Sequence, residues 1–192
     1  MKSVIPDSIL STLQQATTKM FESVPHFDDT RSVKTYHLGF WRAYASHIDW
    51  TQDSRSEKAQ QWLRDNASLF QLMNTICKEK FPELFLSYEC LSKKLPEQPM
   101  GVFPTVAVNK GPCSPHKDEK DYRDGLCFVL PFGDFTGAEL AIKEMKIEIQ
   151  LRPGDLVAFK SHLLTHWNKP MQGTRYSLFF AHDNMFYDAV TK

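Results

Sequence analysis

Lys146-Ile147-Glu148-Ile149-Gln150-Leu151-Arg152-Pro153-Gly154-Asp155-Leu156-Val157-Ala158-Phe159 is the stretch whose reading decides the fold. From Lys146 to Leu151 polar and apolar residues alternate strictly, the pattern of a strand with one face buried. Arg152-Pro153-Gly154-Asp155 then places proline and glycine at the two central positions of a type II turn. Proline presets φ at the first, and glycine accepts the positive φ of the second. Leu156 to Phe159 returns as a strand. Working outward, Leu126-Cys127-Phe128-Val129-Leu130 is a short apolar run closed by Pro131 and Gly133, and Arg175-Tyr176-Ser177-Leu178-Phe179-Phe180 is equally β-prone. Val102, Phe103, Val106, Ala107 and Val108 carry the pattern back towards Gly101. Short strands punctuated by Pro/Gly turns predict a sandwich, barrel or jelly roll over residues 100–192.

Residues 1–99 read as mainly helical. Pro6 and Asp7 suit a helix start, and Ile9, Leu10, Leu13, Ala16, Thr17 and Met20 recur at helical spacing until Pro25 to Asp29 break the pattern. A second long segment starts near Ser54 or Ser56, with Glu57 in its first turn. Its stripe runs through Ala59, Trp62, Leu63, Asn66, Leu69, Phe70, Met73, Ile76 and Cys77, and Pro82 ends it. Phe81 to Phe85 opens a shorter helix. The polar stretch Ser92–Pro99 reads as a connection inside a domain. The expectation is α+β: one domain over 1–192, with helices supporting a strand-rich core.

The chain has 192 residues, against about 150 for a typical domain, and an ordinary composition with 42% hydrophobic and 24% charged residues. Disordered, collagen-like and low-complexity classes are excluded. Lys+Arg and Asp+Glu both number 23, so no global field pulls the chain onto nucleic acid or anionic lipid. No apolar run approaches the roughly 20 residues of a spanning helix, and the N-terminus lacks the apolar core of a signal peptide. Cys77, Cys90, Cys113 and Cys127 show no paired spacing. These features lead to the expectation of an intracellular protein, nuclear or cytoplasmic, with reduced thiols and no membrane partner.

His116-Lys117-Asp118 carries the first chemistry. Positions i and i+2 of an extended segment point to the same side, so an imidazole and a carboxylate converge. His166 adds a second imidazole. Two histidines and one carboxylate form the facial triad of non-haem Fe(II) oxygenases, which leaves positions open for co-substrate and oxygen. Arg175 follows with Ser177 on the same strand face. A guanidinium beside a hydroxyl clamps a carboxylate, which a 2-oxo-diacid presents at its far end.

This pattern resembles the Fe(II)/2-oxoglutarate-dependent dioxygenases, from about Val108 to Asp183. Gly133-Asp134-Phe135-Thr136-Gly137-Ala138-Glu139-Leu140 and Arg152 to Phe159 are similar to stretches of that superfamily, with Ala138 standing where a second glycine is usual. Cys127, Phe159-Lys160-Ser161 and Thr165-His166-Trp167-Asn168 resemble its TET/JBP-like branch, including compact fungal members. The resemblance implies a double-stranded β-helix (jelly roll) with the N-terminal helices packed on one sheet. It implies Fe(II) held by His116, Asp118 and His166, and 2-oxoglutarate held by Arg175 and Ser177. Molecular oxygen would be the other co-substrate. The implied reaction is oxidation of a C–H bond, pointing to the 5-methyl group of a pyrimidine such as 5-methylcytosine in DNA.

Other readings stand beside these. A small molecule or protein side chain is an alternative substrate, and a non-catalytic jelly-roll binding module is an alternative class. His162 rivals His166 but lies further from Arg175 than the family pattern, and is read as structural. Asp121 and Asp124 are rival carboxylates, read as solvated loop residues. Asn109 either lines the 2-oxoglutarate pocket or is an ordinary turn residue. Cys113 reads as a small core residue. Tyr122, Phe135 and Trp167 are candidate walls for a flat substrate. Lys110, Lys117, Lys120 and Arg123 are candidate phosphate contacts. The remaining histidines, His26, His37, His47 and His182, carry no pattern.

Overall fold

A computed structural model describes residues 1–23, 32–42 and 48–183. The expected break at Pro25 to Asp29 lies outside them, as do His26 and His47. Four helices are described: α1 (Asp7–Ser23), α2 (Glu57–Asp65), α3 (Ala67–Lys80) and α4 (Pro82–Ser92). Ser56 caps α2, its hydroxyl accepting the Ala59 N–H at 3.1 Å, and Pro82 opens α4, where a missing N–H costs nothing. The stripe expected to run through one long helix is divided at Asn66. The buried Asn66 side chain donates to the Trp62 carbonyl at 2.8 Å, and its backbone leaves helical geometry between α2 and α3. Local side-chain hydrogen bonding of this kind competes with the helix ladder.

Six strands form one antiparallel sheet in the order β2-β1-β3-β9-β4-β7: β1 (Ser32–Arg42), β2 (Ile48–Trp50), β3 (Thr105–Cys113), β4 (Cys127–Gly137), β7 (Val157–Phe159) and β9 (Met171–Ala181). Three short strands make a second sheet, β6-β5-β8: β5 (Leu140–Ile142), β6 (Ile147–Ile149) and β8 (His166–Asn168). This is the jelly roll of the α+β expectation. Strands β1 and β2 were not anticipated, since residues 1–99 read as helical. Yet Tyr36, Leu38 and Phe40 are buried while His37 between them is exposed, which is a strand alternation. The turn before β7 is as expected: Gly154 has φ of 83°, and the Asp155 N–H closes onto the Arg152 carbonyl at 3.0 Å. Ala138, in place of the usual glycine, sits at φ of 58°, a left-handed conformation that glycine adopts more cheaply.

The period of two assigns each face of the large sheet. Phe128 and Leu130 on β4, Val106 and Val108 on β3, and Leu178 and Phe180 on β9 join Leu13, Trp62, Phe70 and Tyr88 in a core beneath the helices. The opposite face carries Cys127 and Val129, which pack with Leu140, Ile142 and Leu151 between the two sheets. Odd-numbered positions of β3 and β9 therefore look inward, and these include Asn109, Arg175 and Ser177. No helix among the described residues is long and apolar enough to cross a membrane.

Candidate active site

His116 and His166 meet through their backbones. The His116 N–H donates to the His166 carbonyl at 3.1 Å and the His166 N–H returns the bond at 2.9 Å, an isolated antiparallel bridge between β8 and the segment after β3. Their rings follow, with centroids 4.3 Å apart. Each imidazole is oriented by its Nδ1, which lies 2.7 Å from the Ser114 carbonyl in His116 and 2.9 Å from the Leu164 carbonyl in His166. With Nδ1–H donating there, Nε2 of both rings is the lone-pair atom that a metal takes. Asp118 completes the group: its Oδ1 is 3.5 Å from His116 Nε2 and its Oδ2 is 3.5 Å from His166 Nε2. The three ligand atoms lie within 4.8 Å of one another. His166 is fully buried, and its Nε2 has no hydrogen-bond partner. A buried polar atom of that kind carries a desolvation cost, which a bound cation removes. The donor set and the orphaned nitrogen both fit Fe(II).

The second end of the site stands on β9. Arg175 is buried, opposite Gly133 of β4, with its Nη1 donating to Ser177 Oγ at 3.3 Å. Its Nε has no hydrogen-bond partner, and no carboxylate pairs with it among the described residues. Burial pulls its pKa down to about 10, so it stays charged at neutral pH, and the Phe135 ring lies 5.7 Å from the guanidinium carbon. An uncompensated buried guanidinium is costly, and an incoming carboxylate offsets it. Asn109 faces Ser177 in register and its Oδ1 accepts from the Thr35 hydroxyl at 2.8 Å. It is a strand residue, not a turn asparagine. Cys113 lies between the two ends, its thiol feeling both the Arg175 and Asp118 charges, with burial the larger cause of its raised pKa. The expectation of a plain core residue needs correcting, since its Sγ hydrogen-bonds Asn168 Oδ1 at 3.3 Å.

His162 sits outside the metal group, in the turn between β7 and β8. Burial together with the Lys160 and Arg123 charges lowers its pKa. Asp124 is exposed, as expected of a loop carboxylate. Asp121 departs from that expectation: its carboxylate accepts the Ser161 hydroxyl, and burial followed by the Asp118 charge raises its pKa to about 7. Sequence reasoning missed it because its shelter is supplied by Ser161, far away in the chain. A tight cleft, without room for a water molecule, is lined by Tyr88, Asp121, Tyr122, Cys127, Ser161 and His182. His182, unassigned in the sequence, is buried and stacked on Tyr88 at 3.6 Å; burial lowers its pKa to about 3. Of the candidate walls, Tyr122 lines this cleft and Phe135 lies with Arg175, while Trp167 pairs with Ala141 in the small sheet.

A family model described as the oxygenase domain of the 2OGFeDO superfamily (Tet_JBP) matches residues 46–183. The chain belongs to this Tet_JBP family, within a superfamily that uses Fe(II) and 2-oxoglutarate. It is similar to the bifunctional helicase and thymine dioxygenase JBP2 of Trypanosoma brucei brucei, 34% identical over 100 residues, covering 50% of this chain and 9% of that protein. The JBP2 protein of Leishmania tarentolae is 39% identical over 64 residues, covering 32% of this chain and 6% of that protein. This chain thus matches only a small part of those relatives. Among solved structures, NgTET1 in complex with 5mC DNA superposes with a TM-score of 0.79 at 17% identity, covering all of this chain and 73% of that one. A Pseudomonas putida prolyl-4-hydroxylase gives a TM-score of 0.55 at 16% identity, covering 95% of this chain and 90% of that one. These two likenesses show the fold.

Proposed function

We propose that this chain is an Fe(II)- and 2-oxoglutarate-dependent dioxygenase acting on a methylated pyrimidine base, with 5-methylcytosine in DNA as the first substrate to test. The carrying observation is one site that holds both a His-Asp-His group with a buried, orphaned His166 Nε2 and a buried guanidinium without a carboxylate among the described residues. His116, Asp118 and His166 hold the metal through Nε2, a carboxylate oxygen and Nε2. Arg175 pairs with the far carboxylate of 2-oxoglutarate, Ser177 hydrogen-bonds it, and Asn109 lines that pocket from β3. Fe(II), when bound, supplies oxygen activation coupled to decarboxylation of 2-oxoglutarate. The protein keeps water out around His166, against whose ring Phe159 packs edge-on at 4.9 Å.

The choice of a base as substrate rests on the thymine dioxygenase and 5mC DNA named for two similar proteins. A base oxidised at its methyl group must leave the stack, at a cost of a few kcal/mol, so single strands should be handled at least as well as duplex. Such a substrate places the protein's action in the nucleus or cytoplasm, where DNA is. The test is mass spectrometry of bases after incubating methylated DNA with protein, Fe(II), 2-oxoglutarate and ascorbate. Oxidised 5-methylcytosine that is absent with His116→Ala supports the reading. Intact 5-methylcytosine and thymine, together with succinate release driven by a peptide or metabolite, would overturn the substrate and keep the reaction class.

A further inference from the structure

We propose that Ser161 and Asp121 are positioning residues for Asp118, aiming its carboxylate at the two histidines without touching the metal. The inference rests on the ligand assignment above. Three hydrogen bonds close a ring. The Asp118 N–H donates to the Ser161 carbonyl at 3.2 Å, the Ser161 hydroxyl donates to the Asp121 carboxylate, and the Asp121 N–H donates to the Asp118 carbonyl at 2.8 Å. Asp118 lies on no regular strand, so no ladder fixes its backbone. The backbone hydrogen bonds described for its own N–H and C=O both belong to this ring.

The ring also couples Asp118 to His166. Ser161 follows β7 in the turn where the Lys160 carbonyl accepts from the Leu163 and Leu164 N–H groups at 3.1 and 3.2 Å, and that turn leads into β8. One buried serine therefore joins the turn that presents the carboxylate to the turn that delivers the second imidazole. From its other side Asp121 is held to the end of β9, by a bridge to Asp183 and by the Tyr122 N–H donating to the His182 carbonyl at 2.6 Å. A metal site needs its ligands within about 0.5 Å of the productive geometry, and partners outside the coordination sphere supply that accuracy. Asp121 also borders the cleft, so a substrate contact is the competing role. A measurement made without substrate separates the two.

Mn(II), standing in for Fe(II), is titrated into the metal-free 192-residue chain and followed by electron paramagnetic resonance, with thermal unfolding of each variant measured alongside. Ser161→Ala and Asp121→Ala should each weaken Mn(II) binding by about 10- to 100-fold. Asp121→Asn keeps an oxygen for the Ser161 hydroxyl and should stay within about threefold of wild type. The double variant should be no weaker than the worse single one, because the pair acts as a unit. Exposed Asp124→Asn serves as the control. Folded Ser161→Ala and Asp121→Ala proteins that bind Mn(II) like wild type would overturn the proposal. Asp121, half-buried, gives the readout even if Ser161→Ala does not fold. A wild-type protein that binds no Mn(II), or a His166→Ala variant that binds as well as wild type, would instead sink the ligand assignment and the ring with it.

Discussion

The two ends of the site are built by different means. Arg175 and Ser177 stand on β9, which pairs with β4 along nearly all of its length and with β3 from Tyr176 onward. The metal end has less of a ladder: His166 stands on the short β8, paired with β5, while His116 and Asp118 lie outside named strands and are held by a bridge and a ring of turn hydrogen bonds. A ladder spreads the loss of one bond over many neighbours, whereas each turn bond orients one ligand. The co-substrate end should therefore tolerate changes around it, and the metal end should not.

The largest effect expected is at the metal end. His116→Ala, Asp118→Ala or His166→Ala should each abolish turnover, because a triad short of one ligand does not hold ferrous iron in an open facial geometry. Succinate release and Mn(II) titration check it. Activity retained in any of the three would remove that residue from the site. At the other end, Arg175→Ala should weaken 2-oxoglutarate by about 10- to 100-fold, from the roughly 1.5–3 kcal/mol of a hydrogen bond to a charged group. Arg175→Lys should restore only part of this, since an ammonium lacks the two-pronged geometry. Metal affinity should not change in either Arg175 variant. An equal loss of both would mean that the two ends are not separate.

His182 follows β9 and touches the turn of the metal end, so it tests how the two are joined. Its pKa of about 3 in the folded protein lies below the roughly 6.5 of an unfolded histidine. Between those values the unfolded chain binds a proton that the folded one refuses, so this group's contribution falls as pH falls through that window. The slope is about 1.4 kcal/mol per pH unit, so wild type should lose about 2 kcal/mol relative to His182→Phe between pH 7 and pH 5. Urea unfolding at both pH values measures the difference, and parallel curves would refute it. The smallest effect is expected at His162, which lies outside the metal group. His162→Ala should leave Mn(II) affinity within about twofold of wild type. Loss of metal there, with His166→Ala retaining it, would reverse the assignment of the third ligand.

Much of the ladder-built end was legible in the sequence. Alternation and the Pro153-Gly154 turn announced β6 and β7, and Arg175 with Ser177 two positions on fell on one strand face. His116 and Asp118 were legible as a pair, although in the structure turn and bridge contacts hold them, not a long strand. Asp121 and Ser161 were not legible, because the burial of one depends on a residue forty positions from it. Asn66 was read into a helix that its own side chain interrupts. β1 carried a signal in Tyr36, Leu38 and Phe40, but Gly39 within it and the helical stretches around it obscured the alternation.

That overlooked strand has a consequence for any attempt to trim the protein. β1 pairs with β3 from Ser32↔Cys113 to Gly39↔Thr105, so it covers one whole side of the strand that bears Asn109. A fragment starting at residue 100 would keep every side chain assigned to iron and 2-oxoglutarate, yet bare the hydrogen-bonding edge of β3. Open edges of that kind recruit other chains. The shortened protein should therefore associate or precipitate before its chemistry can be judged, and its inactivity would say nothing about the site.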